Sequence, residues 1–235
     1  MPSKTSELAI AGFYDGIYLF YEKANSFLTF GLDLYWRRRA SRLARAAAPG
    51  AASALDVCCG TGDFTLALRR AYGPALKLSG ADLSEPMLSL ARPKDRSIEF
   101  TRAESKSLPF PDGGFDLVTI SFATRNLNLD RESLLASLRE FRRVLKPGGT
   151  FVNLETTRPA NALLRAGMDL YVKALIALLN RVSPKSRSSY LFLRNTILTW
   201  YRAAEFDALL LEAGFSRASH RVLCPGAVAV HFAVR

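Results

Sequence analysis

The sequence predicts an α/β protein: a mostly parallel sheet with helices on both faces. Three observations carry that expectation. Short apolar runs alternate with helix-period segments from residue 54 onward. Glycine and proline stand at most of the junctions between them. A glycine turn, Gly60-Thr61-Gly62, follows the first run, and an acid, Asp82, closes the second. Open parallel sheets place their ligands at such carboxyl ends.

Each element has its own local reason. Residues 7–48 read as helix, because they lack proline and because Leu28, Leu32, Tyr35, Trp36, Leu43 and Ala47 recur at helical spacing. Pro49 and Gly50 break it. Residues 54–58 read as a buried strand, and residues 64–72 as a helix that stops at Gly73-Pro74. Residues 76–83 form the second expected strand. Residues 85–91 form a short helix with Ser84 as N-cap and Pro86 in its first turn. Residues 98–101 are a third strand, 108–114 a loop by composition, and 115–122 a fourth strand. Residues 131–145 are an amphipathic helix that Lys146-Pro147-Gly148-Gly149 should stop, and residues 150–155 a fifth strand. Residues 161–213 read as mostly helical, and 215–234 as two strands around Pro225-Gly226. Between 161 and 181, Arg165, Asp169 and Lys173 share one stripe while most of the remaining circumference is apolar. Such a helix is buried in a core, or faces lipid or an apolar ligand.

Composition narrows the class. Of 235 residues, 49% are hydrophobic and 23% charged, which suits a sizeable core and disfavours disorder. The longest stretch without Lys, Arg, Asp or Glu is 222–234, 13 residues. A membrane-spanning helix needs roughly 18–20. The first residues already carry Lys4 and Glu7, with no apolar signal region. Three cysteines, two of them adjacent (Cys58, Cys59), make neither a disulfide framework nor a zinc knuckle, so a reducing cytoplasm is expected. With only two histidines, His220 and His231, neither a His-based catalytic centre nor a metal site is expected.

The net charge is +11, spread as +3 over residues 1–54, +2 over 55–160 and +6 over 161–235. The densest cluster is Arg37, Arg38, Arg39, Arg42 and Arg45. A solvated helix face is the plain reading of it; an anionic membrane surface or a nucleic acid are the sharper ones.

The pattern Asp56-x-x-x-Gly60-x-Gly62 lacks the full dinucleotide fingerprint, since Cys58 holds its first glycine position, and it lacks the Gly-Lys-Ser/Thr of a Walker loop. Asp82, 20 residues after Gly62, stands where an acid can accept both hydroxyls of a ribose. Asp56 and Asp63 in the same region would repel a pyrophosphate and suit a cationic adenosyl ligand such as S-adenosylmethionine.

Several stretches then resemble class I S-adenosylmethionine-dependent methyltransferases: residues 56–63 (DVCCGTGD), 82–88 (DLSEPML), 103–112 (AESKSLPFPD), Phe115-Asp116, and 143–149 (RVLKPGG). Ser121-Phe122 followed by Arg125-Asn126, and Tyr21-Glu22, Asn25, Phe30-Gly31 and Trp36 near the start, narrow the likeness to the ubiquinone/menaquinone biosynthesis C-methyltransferase family. Residues 190–193, 213–215 and Pro225-Gly226 match its closing pattern, so the likeness covers nearly the whole chain.

The resemblance implies a Rossmann-like class I methyltransferase fold with a seven-stranded, mostly parallel sheet. It implies an N-terminal helical cap (1–50), an S-adenosylmethionine-binding core (51–160), an apolar helical insertion for substrate or membrane (161–213) and a closing strand pair (214–235). S-adenosylmethionine contacts would fall at Asp56, Gly60, Gly62, Thr65, Asp82, Arg102, Ala103 and Ser121. Arg102 departs from the family's usual Asp or Asn; it has donors only and cannot accept from the adenine amine, a role that could pass to Glu104. Catalysis would fall to Arg125, as stabiliser of a quinolate, with Asn126 orienting the ring oxygen and Tyr21 closing the site. The implied reaction is C-methylation of a prenylated quinol, demethylmenaquinol or a polyprenyl benzoquinol. The implied location is cytoplasmic, peripheral on an anionic membrane surface, with no nucleic-acid partner; a homodimer is left open. Another small aromatic or lipid acceptor, or an RNA substrate, are the competing readings. The RNA reading meets no Pro-Pro-Tyr type motif and no appended RNA module.

Overall fold

The structure, a computed structural model, describes residues 29, 31–182, 187–224 and 226–235. Tyr21, Glu22, Asn25, Phe30 and Pro225, together with the expected helix before residue 31, lie outside the described residues.

Seven strands form one sheet: β1 (Ser53–Val57), β2 (Lys77–Asp82), β3 (Glu99–Arg102), β4 (Phe115–Ser121), β5 (Leu145–Thr156), β6 (Arg217–Val222) and β7 (Val228–Val234). Their order is β3-β2-β1-β4-β5-β7-β6, and only β7 runs antiparallel to its neighbours. The order reverses between β1 and β4, which opens a crevice at their carboxyl ends.

Helices α1 (Leu32–Ala47), α2 (Asp63–Tyr72) and α3 (Glu85–Ala91) cover one face; there Trp36, Phe64, Leu68 and Leu88 pack with Leu78 and Val152. On the other, α5 (Arg131–Val144) and α8 (Ala203–Glu212) bring Phe141 and Phe206 against Phe151 and Ile120. Each such side chain contributes about 1.5–3 kcal/mol when fully buried. The short α4 (Thr124–Leu127) follows β4, while α6 (Ala162–Val182) and α7 (Arg187–Leu198) stand beyond β5.

Most expected elements lie within a residue or two of their expected bounds. Ser84 does cap α3, its hydroxyl accepting from the Met87 N–H at 3.4 Å. Three findings differ. The four-residue α4 was not expected. Lys146-Pro147-Gly148-Gly149 is no loop: β5 starts at Leu145 and carries those residues past a register shift opposite Phe115 and Leu117. And of the two readings open for α6, core is not the one found: Leu163 is 81% exposed and Leu170 69%, with only Val172 and Ile176 buried among its described residues.

Candidate active site

The turn after β1 is built for close packing. Gly62, φ +85°, is the N-cap of α2, and a Cβ there would lie 3.2 Å from Ala91. Behind it, Gly80 leaves room for the Phe100 ring, which a Cβ would meet at 2.6 Å. The loop is held to β2 by Asp82, whose Oδ2 accepts from the Gly60 N–H at 2.8 Å while Oδ1 accepts from the Ser84 N–H at 2.9 Å. The carboxylate is thereby fixed, half-buried, at the lip of the crevice. Ala103 donates its N–H to the Asp82 carbonyl at 3.0 Å, and Arg102 folds back so that Nε donates to the Leu83 carbonyl at 3.1 Å. Ser121 ends β4 across the crevice.

Asp56 and Thr65 pack together behind the turn. Asp56 is 1% exposed and lies beneath the loop, accepting hydroxyls from Thr65 at 2.6 Å and Thr119 at 2.7 Å. Burial pushes its carboxyl up to about 6, against those two hydrogen bonds and the nearby Arg37, which lower it. Its neighbour Cys59 is pushed up too, by burial first and then by Asp82 and Asp56, which favours the protonated thiol. Asp63 is paired with Lys94 at 3.0 Å.

Backbone strain marks both sides of the crevice. Cys58 (φ +52°) and Phe122 (φ +54°), just past the ends of β1 and β4, are non-glycine residues in the left-handed region. Such conformations cost of order 1–3 kcal/mol and cluster at functional sites. At Phe122 the chain peels away from β4 into α4, which carries Arg125 and Asn126, 6% and 7% exposed.

Arg125 borders an apolar cavity of about 300 Å³ enclosed by α1, α4, α6 and α7, with Trp36, Phe122, Val172, Ile176, Leu193 and Ile197 in its wall. Two ion pairs stand at the cavity among the described residues. Arg125 Nη1 donates to Glu155 Oε1 at 2.6 Å and to the Phe122 carbonyl at 2.9 Å, and Glu155 has no exposure. Arg37 Nη1 donates to Asp33 Oδ2 at 2.7 Å and its guanidinium lies 5.3 Å from the Phe122 ring centroid. Arg37 therefore faces inward, unlike Arg38, Arg39, Arg42 and Arg45, which are exposed.

The structure thus gathers Gly60, Gly62, Asp82, Arg102, Ala103 and Ser121 around the crevice and sets Arg125 and Asn126 at its neighbour. Tyr21 lies outside the described residues. Sequence reasoning missed Glu155, Asp33 and Phe122. The i,i+4 spacing of Asp33 and Arg37 was the one available signal. The donor set around Asp82 fits an adenosyl group: a fixed carboxylate for hydroxyls beside a glycine turn that lets a ligand approach the backbone.

Known proteins bear on this arrangement. The ubiE/COQ5 methyltransferase family model matches residues 3–235. The demethylmenaquinone methyltransferase of Lactococcus lactis is 34% identical, over 99% of this chain and 92% of its own. That of Bacillus licheniformis is 35% identical over 97% of each chain. An S-adenosylmethionine-dependent methyltransferase from Thermotoga maritima shares the fold, with a TM-score of 0.61 at 19% identity over 94% of this chain and 99% of its own. Taken with the reversal between β1 and β4 and the acid at the end of β2, these matches establish that the chain belongs to the ubiE/COQ5 methyltransferase family and is an S-adenosylmethionine-dependent methyltransferase.

Proposed function

We propose that the enzyme C-methylates the ring of a prenylated quinol, demethylmenaquinol first among the candidates, with the ring beside Arg125 and the tail in the apolar cavity. The observation that carries this reading is the cavity itself: an apolar volume of about 300 Å³ whose wall holds an oriented guanidinium. Each isoprenoid methylene buried there contributes about 0.8 kcal/mol. The relatives named for demethylmenaquinone support the naphthoquinol over a benzoquinol.

Bound S-adenosylmethionine supplies an electrophilic sulfonium methyl. The chain's residues do the rest. Asp82, the Gly60–Gly62 loop, the Arg102-Ala103 backbone and Ser121 hold the adenosyl group, with Asp56 and Thr65 bracing the loop from below. A ring carbon becomes nucleophilic when the adjacent hydroxyl loses its proton. Arginine is a poor base, with a pKa above about 12, so water takes that proton. Arg125, oriented by Glu155, gives the developing quinolate a charge-assisted hydrogen bond. Asn126 orients the ring oxygen; the closing role expected of Tyr21 falls outside the described residues. Alignment of the two reactants could supply about 7–11 kcal/mol of the barrier reduction.

A bilayer-resident substrate calls for docking. Among the described residues no helix is long and apolar enough to cross a membrane. Instead, α6 turns Met168, Val172 and Ile176 into the cavity and leaves Leu163, Leu170 and Leu178 outside. We assign that outer stripe, the exposed arginines of α1 and the basic residues between 181 and 194 to peripheral contact with anionic lipid. Residues 1–50 then act as a cap, 51–160 as the cofactor core, 161–213 as the substrate and membrane insertion, and 214–235 as the closing strand pair.

The test is methyl transfer to demethylnaphthoquinol and benzoquinol analogues side by side, with methyl position read by mass and NMR. No product from either sinks the proposal. In parallel, Asp82→Ala should abolish calorimetric binding of S-adenosylmethionine; unchanged affinity would move the cofactor elsewhere.

A further inference from the structure

Both histidines of the chain, eleven positions apart, converge on one carboxylate outside the cavity. His220 and His231 are direct partners in the antiparallel register of β6 and β7, so their side chains leave the same face of the sheet. Asp207 reaches that face from α8. His220 Nδ1 lies 2.6 Å from Asp207 Oδ2 and His231 Nδ1 lies 2.8 Å from Oδ1. One ligand atom from each of the three residues lies within 4.8 Å of the others.

We propose that Asp207, His220 and His231 bind one borderline divalent cation, of which zinc is the model, tying α8 to the β6–β7 edge of the sheet. Two imidazoles and a carboxylate are a donor set that zinc takes, with a fourth position left to water. A tetrahedral ion holds its ligand atoms about 3.3 Å apart, given bonds of about 2.0–2.1 Å, so each imidazole opens from the carboxylate by about half an ångström while the widest donor pair, within 4.8 Å, closes toward that spacing. The burial is graded in a way that suits entry. His231 is 1% exposed and its ring packs 4.8 Å from that of Phe206, which fixes one ligand. Asp207 is part-buried, and His220 stands at the mouth. Coordination through Nδ1 moves each imidazole proton to Nε2 and leaves the ring's charge unchanged. The competing reading is a carboxylate bridging two imidazoles with no ion.

Untagged, chelator-treated full-length enzyme is titrated with cobalt chloride and then zinc chloride. The site predicts one cobalt ion per chain with visible d–d absorption, displacement by one zinc, and a zinc-dependent rise in Tm. His220→Ala, at an exposed position, and the near-isosteric Asp207→Asn each weaken binding by roughly tenfold or more and remove the Tm rise, while Cys224→Ser changes neither. Three results overturn the proposal: no saturable binding, binding that survives both His220→Ala and Asp207→Asn, or an intense near-ultraviolet thiolate-to-cobalt band that puts the ion on cysteine.

Discussion

Arg125 and Glu155 are 30 positions apart in sequence and bonded in the structure. Both charges are almost wholly buried, so removing one strands the other. Glu155→Ala should therefore cost about 3–5 kcal/mol in urea unfolding. Arg125→Ala has the same fault and cannot isolate a catalytic role. The pair Arg125→Met with Glu155→Leu should recover most of the stability and none of the methyl transfer. Stability without turnover separates the two roles; turnover in that double variant would remove Arg125 from the chemistry. Asp56 makes a second prediction at this scale. Its folded pKa of about 6 exceeds the ordinary 3.8, so between those values the folded chain binds more protons than the unfolded one. Its contribution to stability therefore falls as pH rises from about 4 to 6. Relative to Asp56→Asn, the native chain should lose about 2–3 kcal/mol between pH 4 and 7. A flat difference curve would mean that the carboxyl titrates normally.

At the level of elements, α6 carries apolar residues toward the cavity and also toward solvent. Changing Leu163 and Leu170 together to Glu should move stability by no more than about 0.5 kcal/mol per site, because both are exposed. It should nonetheless abolish flotation with vesicles; flotation at the native level would free this stripe from the membrane role. The same helix shows where reading a sequence stops. Its length and period were legible, but which apolar face is covered depends on neighbours. Strands β1, β2 and β4, the glycine turn after β1 and the acid at the end of β2 were legible because their signals are local: apolar runs, turn glycines, an acid at a strand end. Helix α4 was not, since four residues show no period. Nor was the Arg125–Glu155 pair, because Glu155 reaches Arg125 only through the neighbouring positions of β4 and β5. Arg37 was misjudged for the opposite reason: it stands in a run of exposed arginines, and only its place on α1 turns it inward.

For the whole molecule, a net charge of +11 with basic ends sets the long-range field. Each basic residue near an anionic surface contributes roughly 1 kcal/mol. Raising salt from about 50 to 500 mM shortens the screening length from about 14 to 4 Å. Flotation on anionic vesicles should fall accordingly, and a salt-independent signal would leave only the apolar stripe to explain docking. The sheet order has a separate consequence, for synthesis. Strand β7 is made after β6 yet lies inside it, between β5 and β6. Until residues 228–234 leave the ribosome, β5 keeps a bare edge and β6 has nothing to join. A nascent chain stalled near residue 222 thus carries an open sheet edge and an orphan strand at once, the combination that recruits other chains into aggregates.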